Sequence, residues 1–164
     1  PCKLYKSSLF HEIRYPAGKL FEDIGTTYKL FLKAGKIINS QMEKYYYLQR
    51  HDSIENCNFS ARKMDLLEMC EELHRDILAV YPDLRKAWNC RYFCANFHIF
   101  LQIPRNRFKN QAKILIRNIK SCRKTVLSDR RARPKARAAA LLSYFGMGFT
   151  RWIWFLTSFM MGLK

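Results

Sequence analysis

Acidic residues are scarce in this sequence: 13 Asp and Glu stand against 30 Lys and Arg among 164 residues, which gives a formal net charge of +17. A charge of this size favours polyanionic partners, such as nucleic acid, an anionic membrane surface or a phosphorylated substrate. The chain does not show the low hydrophobicity of a disordered segment, because 49% of it is hydrophobic and 15% aromatic. These totals predict one domain, or a small domain with an appendage.

The sequence also lacks any Cys-x-x-Cys pair, and no secretory signal precedes its cysteines. The six cysteines are at positions 2, 57, 70, 90, 94 and 122. We therefore expect reduced thiols in a cytosolic protein. Cys90, Cys94 and His98 share one face of a predicted helix, but a metal site there needs a fourth ligand, and buried packing is the favoured interpretation. Since the chain starts at Pro1 within an apparently structured segment, we expect a longer protein upstream.

The pattern of apolar residues changes character along the chain. A helical pattern runs over 23–33, and two short strands are predicted at 36–39 and 44–48. Apolar residues at three-and-four spacing then predict helices over 60–80, 84–103 and 106–127. The predicted fold class is an α/β fragment over 1–56, followed by a mainly α-helical appendage over 57–128, so that the whole is predominantly helical.

Residues 129–164 form a basic and then apolar tail. Thirteen Lys and Arg fall within 105–137 against Asp129 alone, so +12 of the +17 lies there. The segment 138–163 is apolar and rich in Trp and Phe, with Arg151 near its middle. A charge at a bilayer centre is costly, whereas Trp beside Arg suits the interface. We predict helices that lie on an anionic membrane surface; the alternative is packing on the helical appendage or on another subunit.

An adjacent pair of carboxylates, Glu22 and Asp23, follows a turn at Pro16 and Gly18 and opens the first predicted helix. One interpretation is simple helix stabilisation, because acidic residues in a first turn contribute about 0.3–1 kcal/mol. The other is a catalytic base held beside a substrate. The pair alone does not decide between them.

A longer motif surrounds this pair. It consists of Pro16-x-Gly18-Lys19-x-x-Glu22-Asp23-x-x-Thr26-x-x-Lys29-Leu30, then Ala34-x-Lys36-Ile37, then Tyr46-Tyr47-x-x-Arg50-x-x-Ser53-Ile54. This string resembles the C-terminal half of the catalytic domain of family-2 glycosyltransferases, in particular the bacterial enzymes that build capsular, exopolysaccharide and lipopolysaccharide chains. The resemblance covers residues 1–56 closely, and the remainder is similar only in kind.

The resemblance implies a GT-A fold and the inverting transfer of a sugar from a nucleotide-diphosphate donor to a hydroxyl of a glycan or lipid-linked acceptor. Asp23 is then the expected base and Glu22 supports it. Arg50 and Ser53 are expected to contact the donor diphosphate, since a guanidinium matches phosphate oxygens; a surface salt bridge is the alternative for Arg50. The expected location is cytoplasmic, peripheral on the inner face of the cell membrane.

One departure from the family pattern is the lack of an Asp-x-Asp motif. The aspartates are at 23, 52, 65, 76, 83 and 129, and no two are two residues apart. The divalent metal expected for the family, Mn or Mg, has no ligand set in this chain. We therefore expect a truncated enzyme without the donor half and without activity alone. Two other classes of protein remain open. One is a basic nucleic-acid-binding module, although the sequence contains no known RNA- or DNA-recognition motif, and the other is a non-catalytic helical interaction protein.

Overall fold

A computed structural model describes residues 3–40, 42–46, 48 and 59–160 of the chain. The chain divides into two compact units, Pro1–Leu73 and His74–Lys164. Six α-helices are present in the described part, with bounds that follow the predicted periodicities closely. They are α1 (Glu22–Lys33), α2 (Asp65–Val80), α3 (Arg85–Gln102), α4 (Lys109–Ser128), α5 (Pro134–Leu142) and α6 (Met147–Met160).

The first unit contains a 3-10 turn at Ser7–Phe10, then α1, and then another 3-10 turn at Ala61–Met64 that leads into α2. One side of α1 is buried at Gly25, Thr26, Tyr28 and Leu30. The N-terminal part of α2 buries Leu66, Leu67, Met69 and Cys70. Both helices are amphipathic, and their apolar sides supply the core of this unit.

The α/β prediction for 1–56 is wrong, since none of the described residues forms a strand. The described parts of the two predicted strands are irregular and open to solvent: Ile38 is 78% exposed and Tyr46 is 87% exposed. A high β-propensity reflects how well a side chain fits a half-buried pleated surface. These residues have no such surface to pack on, so the β-branched and aromatic side chains alone do not produce a strand. The described chain is all-helical.

The second unit is organised around α3 and α4, which are joined by residues 103–108. The apolar spacing of the third helix predicts a seam, and four of its six members are buried while the first two are half-buried: Phe108, Ala112, Leu115, Ile119, Cys122 and Val126. The stripe predicted for 84–103 is only partly right. It consists of Ala87, Cys90, Cys94 or Phe93, Phe97 and Leu101.

The buried members of that stripe are Phe93 and Phe97, whereas Ala87 is exposed. The buried side of α3 also includes Ile99, which the stripe did not contain.

A buried polar network fixes the register of these two helices. Asn118 of α4 donates hydrogen bonds to the Asn96 side-chain oxygen (3.0 Å) and to the Tyr92 hydroxyl (2.9 Å) of α3. Asn96 is fully buried and donates to the Tyr92 carbonyl (2.8 Å). Sliding one helix past the other would leave these groups without partners, which is costly in a low-dielectric interior.

The apolar tail folds into α5, a 3-10 turn at Ser143–Phe145, and α6. One side of α6 packs on the core, where the Trp154 ring meets Phe97 edge to face at 5.0 Å. The predicted alternative of packing on the helical appendage is thus correct for that side. Among the residues that the structure describes, no helix is long and apolar enough to cross a bilayer.

Candidate functional site

The carboxylate pair lies in the first turn of α1, as its position in the sequence indicates. Glu22 and Asp23 are the first two residues of the helix and both are exposed. The preceding residue, Phe21, has left-handed backbone angles (φ 60°) and provides no side-chain cap. A bulky residue in this conformation costs on the order of 1–2 kcal/mol, and such strain concentrates at functional sites.

Residues 18–20, which precede this first turn of α1, are held in place by contacts with the start of α2 and the turn before it. Lys19 Nζ donates to Glu68 Oε2 at 2.7 Å and lies 3.6 Å from Asp65 Oδ1. The Leu20 backbone N–H donates to Asp65 Oδ2 at 3.2 Å, and Arg62 donates to the Gly18 carbonyl at 2.7 Å. The hydrogen bond with Glu68 raises the pKa of Lys19. These contacts fix residues 18–20 and therefore the direction in which α1 starts.

Glu22 and Asp23 have no partner among the described residues, a state that they share with the exposed Glu43 of the same unit. No described residue forms a hydrogen bond or an ion pair with either of them. By contrast, Glu72 pairs with Lys29 at 2.5 Å, Glu12 with Lys33 at 2.7 Å, and Asp65 and Glu68 with Lys19. In a chain with 30 cationic side chains, two exposed carboxylates remain available to bind an external group.

Three aromatic side chains of the N-terminal segment form a cluster, and one of them, Tyr15, lies near enough to the pair to be affected by its charge. The Tyr5 ring meets Phe10 edge to face at 5.7 Å, and Phe10 lies 6.1 Å from the Tyr15 ring. Burial, then Tyr5, and then the charges of Asp23 and Glu22 raise the pKa of Tyr15. Tyr15 is therefore a neutral hydroxyl close to two carboxylates. Neither Tyr5 nor Tyr15 is a predicted site residue, because no spacing rule connects them to residues 22–23.

The two other predicted site residues, Arg50 and Ser53, lie outside the described residues. Within the part of the chain that is described, no group of three or more His, Cys, Asp and Glu side chains is arranged to hold a metal ion. Cys94, from the helix face considered for a metal, has its pKa raised to about 11, chiefly by burial and then by Cys90. The His98 ring contacts the Gln102 amide at 2.8 Å.

A second surface belongs to the other unit. The outer side of α6 and the turn before it expose a row of apolar side chains, spaced four, three and three residues apart, which we call the aromatic face. Its members are Phe145, Phe149, Trp152 and Phe155, which are 45–69% exposed. The basic run 105–137 is carried by the same unit. The sequence showed that the tail is apolar, but not which of its sides stays exposed.

No protein-family model, no curated protein and no solved structure matches this chain. The expected similarity to family-2 glycosyltransferases therefore rests on the sequence motif in residues 16–54 alone.

Proposed function

We propose that this chain forms the acceptor side of an inverting glycosyltransferase of cell-surface polysaccharide synthesis, with Asp23 as the general base. The observation that carries the proposal is the state of the carboxylate pair: it is exposed, lacks partners among the described residues, and is held at a helix start whose approach is fixed by Lys19. A carboxylate that must take a proton from a substrate needs this combination of fixed position and free oxygen atoms. Simple helix stabilisation needs neither the strained Phe21 nor the neighbouring tyrosines.

The chemistry of this proposal is a single displacement. The acceptor oxygen forms a bond to the anomeric carbon, the bond from that carbon to the donor phosphate breaks, and the nucleoside diphosphate leaves with the bonding electrons. The proton of the acceptor hydroxyl passes to an Asp23 carboxylate oxygen. Glu22 accepts a hydrogen bond from a second hydroxyl of the acceptor. Tyr15 and Tyr5 provide the aromatic surface on which a sugar ring packs. The described residues do not fit a divalent metal, and no step here uses one.

The test is sugar transfer by the full natural polypeptide that carries this sequence, with nucleotide sugars as donors and product release as the measurement. Asp23→Asn should reduce kcat by at least about a hundredfold, within the usual range for general-base catalysis, and should leave donor binding intact. Glu43→Gln removes a charge from an exposed, irregular segment and is the matched control. Wild-type turnover in Asp23→Asn would exclude this role for Asp23. It would leave a non-catalytic helical interaction protein as the better hypothesis.

A membrane partner is a second proposal, and the aromatic face supports it. Trp and Phe side chains on one side of a helix suit the boundary between headgroups and acyl chains. The thirteen Lys and Arg of 105–137 would add attraction to anionic lipid, worth about 1 kcal/mol for each one near the surface. This combination favours a peripheral position on an anionic membrane over nucleic acid as the partner of the charge.

Flotation with anionic vesicles, run beside an RNA mobility-shift assay, separates these two partners. The wild-type chain should float with vesicles, and Phe149→Ser together with Trp152→Ser should abolish flotation. Leu141→Ser alters an exposed apolar residue on α5, outside the aromatic face, and should leave flotation unchanged. RNA binding at physiological salt without flotation would contradict the membrane proposal and favour the nucleic-acid alternative.

A further inference from the structure

An open cavity of about 390 Å³ lies in the second unit, where the end of α3, the connection to α4 and the start of α6 meet. Most of its wall is apolar, and two arginines are charged. The described lining residues are Phe100, Ile103, Pro104, Arg105, Ala112, Met147, Gly148 and Arg151. None of these described residues is a carboxylate.

Arg151 is only 7% exposed although it carries a full positive charge. One of its terminal nitrogens, Nη2, donates to the Phe100 carbonyl, and its guanidinium lies 4.3 Å from the centroid of the Phe100 ring. Its Nε is buried and has no hydrogen-bond partner in the described part of the chain. A buried charge with an unmet donor is costly unless an opposite charge compensates it.

The charge that shifts the pKa of Arg151 is also positive. Burial lowers the pKa of Arg151, and the charge of Arg105 lowers it further. The Phe100 carbonyl lies near the C-terminal end of α3, where the helix dipole is negative, and it offsets part of the Arg151 charge. It carries only a partial negative charge and accepts one N–H of the guanidinium. The cavity therefore carries a net positive charge that the described residues lining it do not neutralise.

The start of α6 contributes in the same direction. Met147 and Gly148 are the first two residues of this 14-residue helix, and both line the cavity. First-turn N–H groups have no partner within their own helix, and the helix dipole is positive at this end. Two arginines and the first two residues of α6 thus line one cavity.

We propose that this cavity binds a phosphate monoester whose other part is apolar. The phosphate oxygens bind Arg105, the terminal guanidinium nitrogens of Arg151 and the N–H groups that open α6. The apolar part lies against Phe100, Ile103 and Ala112. The cavity does not involve Asp23 or the aromatic face. Arg105 does belong to the basic run 105–137 of the membrane proposal, and an experiment with inorganic phosphate and no lipid separates the two. Free phosphate and the headgroup of phosphatidic acid both carry the phosphate oxygens that such a site would bind.

Thermal unfolding of the whole chain provides the test, with inorganic phosphate compared with chloride at matched ionic strength. Phosphate should raise the unfolding temperature in a saturable manner. Arg105→Gln should weaken this effect at least tenfold in apparent Kd. Arg130→Gln, at an exposed position elsewhere in the basic run, is the control and should behave as wild type.

Arg151→Gln removes the central group but endangers folding, so a second variant keeps the test decisive. A Cβ atom on Gly148 would meet no described atom within 4 Å, and Gly148→Leu should fill the cavity without removing either arginine. Phosphate should no longer stabilise that variant. If phosphate stabilises wild type, Arg105→Gln and Gly148→Leu equally, or stabilises none beyond the chloride control, the proposal is overturned.

Short-chain soluble phosphatidic acid, added in place of inorganic phosphate, separates the two sources of the ligand. Protection at a tenfold or greater lower concentration than inorganic phosphate identifies a lipid headgroup. Protection at equal concentrations identifies free phosphate, and contradicts the apolar half of the proposal.

Discussion

Gly25 of α1 lies directly against the thioether of Met69 on α2. An added Cβ atom at Gly25 would overlap the Met69 sulfur, so the two helices approach each other there more closely than any larger residue permits. Met69 is itself buried. The Lys29–Glu72 ion pair joins the same two helices, and Lys19, just before α1, pairs with Asp65 and Glu68 of α2. These contacts and the close approach together set the position of the carboxylate pair at the start of α1.

Gly25→Ala should lower the free energy of unfolding by up to about 2 kcal/mol. Overpacking of a core costs about 1–3 kcal/mol, and the better helix propensity of Ala returns ~1 kcal/mol of this. In a Met69→Ala background the overlap is gone, and Gly25→Ala should then stabilise by about 1 kcal/mol. Urea denaturation of the four proteins measures this double-mutant cycle. Equal effects of Gly25→Ala in both backgrounds would show that the two residues do not touch.

Asn118→Ala should destabilise the second unit by about 1–3 kcal/mol, because it leaves the buried Asn96 oxygen without its donor. The double variant Asn96→Ala with Asn118→Ala should cost less than the sum of the two single changes. Thermal unfolding gives the comparison. Strict additivity would mean that the Asn118–Asn96 hydrogen bond does not form in solution.

The Cys94 thiol should resist alkylation at pH 8, because burial and then Cys90 raise its pKa to about 11. The folded state disfavours the thiolate, so the stability linked to this group is complete below the ordinary pKa of about 9 and is lost as the pH rises towards 11. Iodoacetamide labelling followed by peptide mass spectrometry measures the rate at Cys94 between pH 7 and 11. Rapid labelling at pH 8 would contradict the burial of this thiol.

The hydroxyl of Tyr15 should titrate above the ordinary tyrosine pKa of about 10. Asp23→Asn and Glu22→Gln should each lower that pKa part of the way, since burial is the larger cause and remains. Stability linked to Tyr15 is present at neutral pH and is lost as the pH rises through the raised pKa. Carbon-13 NMR of labelled tyrosine, assigned with Tyr15→Phe, measures the effect. Glu43→Gln should leave Tyr15 unchanged; a shift there equal to that in Asp23→Asn would remove the link between Tyr15 and the pair.

Periodicity predicted the helices well and the irregular segments poorly, for physical reasons. The seam from Leu115 to Val126 is set by repeated burial on one face, and local spacing records it directly. Ile38 and Tyr46 have the side chains of a strand, but a strand also needs a partner surface, which the residues themselves do not encode. The position of Tyr15 beside Asp23, and of Arg105 beside Arg151, depends on how the chain turns between distant residues. No local pattern contains that information.

The helix that carries the aromatic face is already folded and anchored, with Trp154 packed on Phe97 and Arg151 holding the end of α3. Many surface-active peptides must form their helix at the membrane and lose conformational entropy when they do so. In this protein that entropy is lost when the chain folds, before the protein contacts a bilayer. Contact with a membrane would thus bury Trp152 while the far-ultraviolet circular dichroism of the protein stayed constant, and its fluorescence alone would report the encounter.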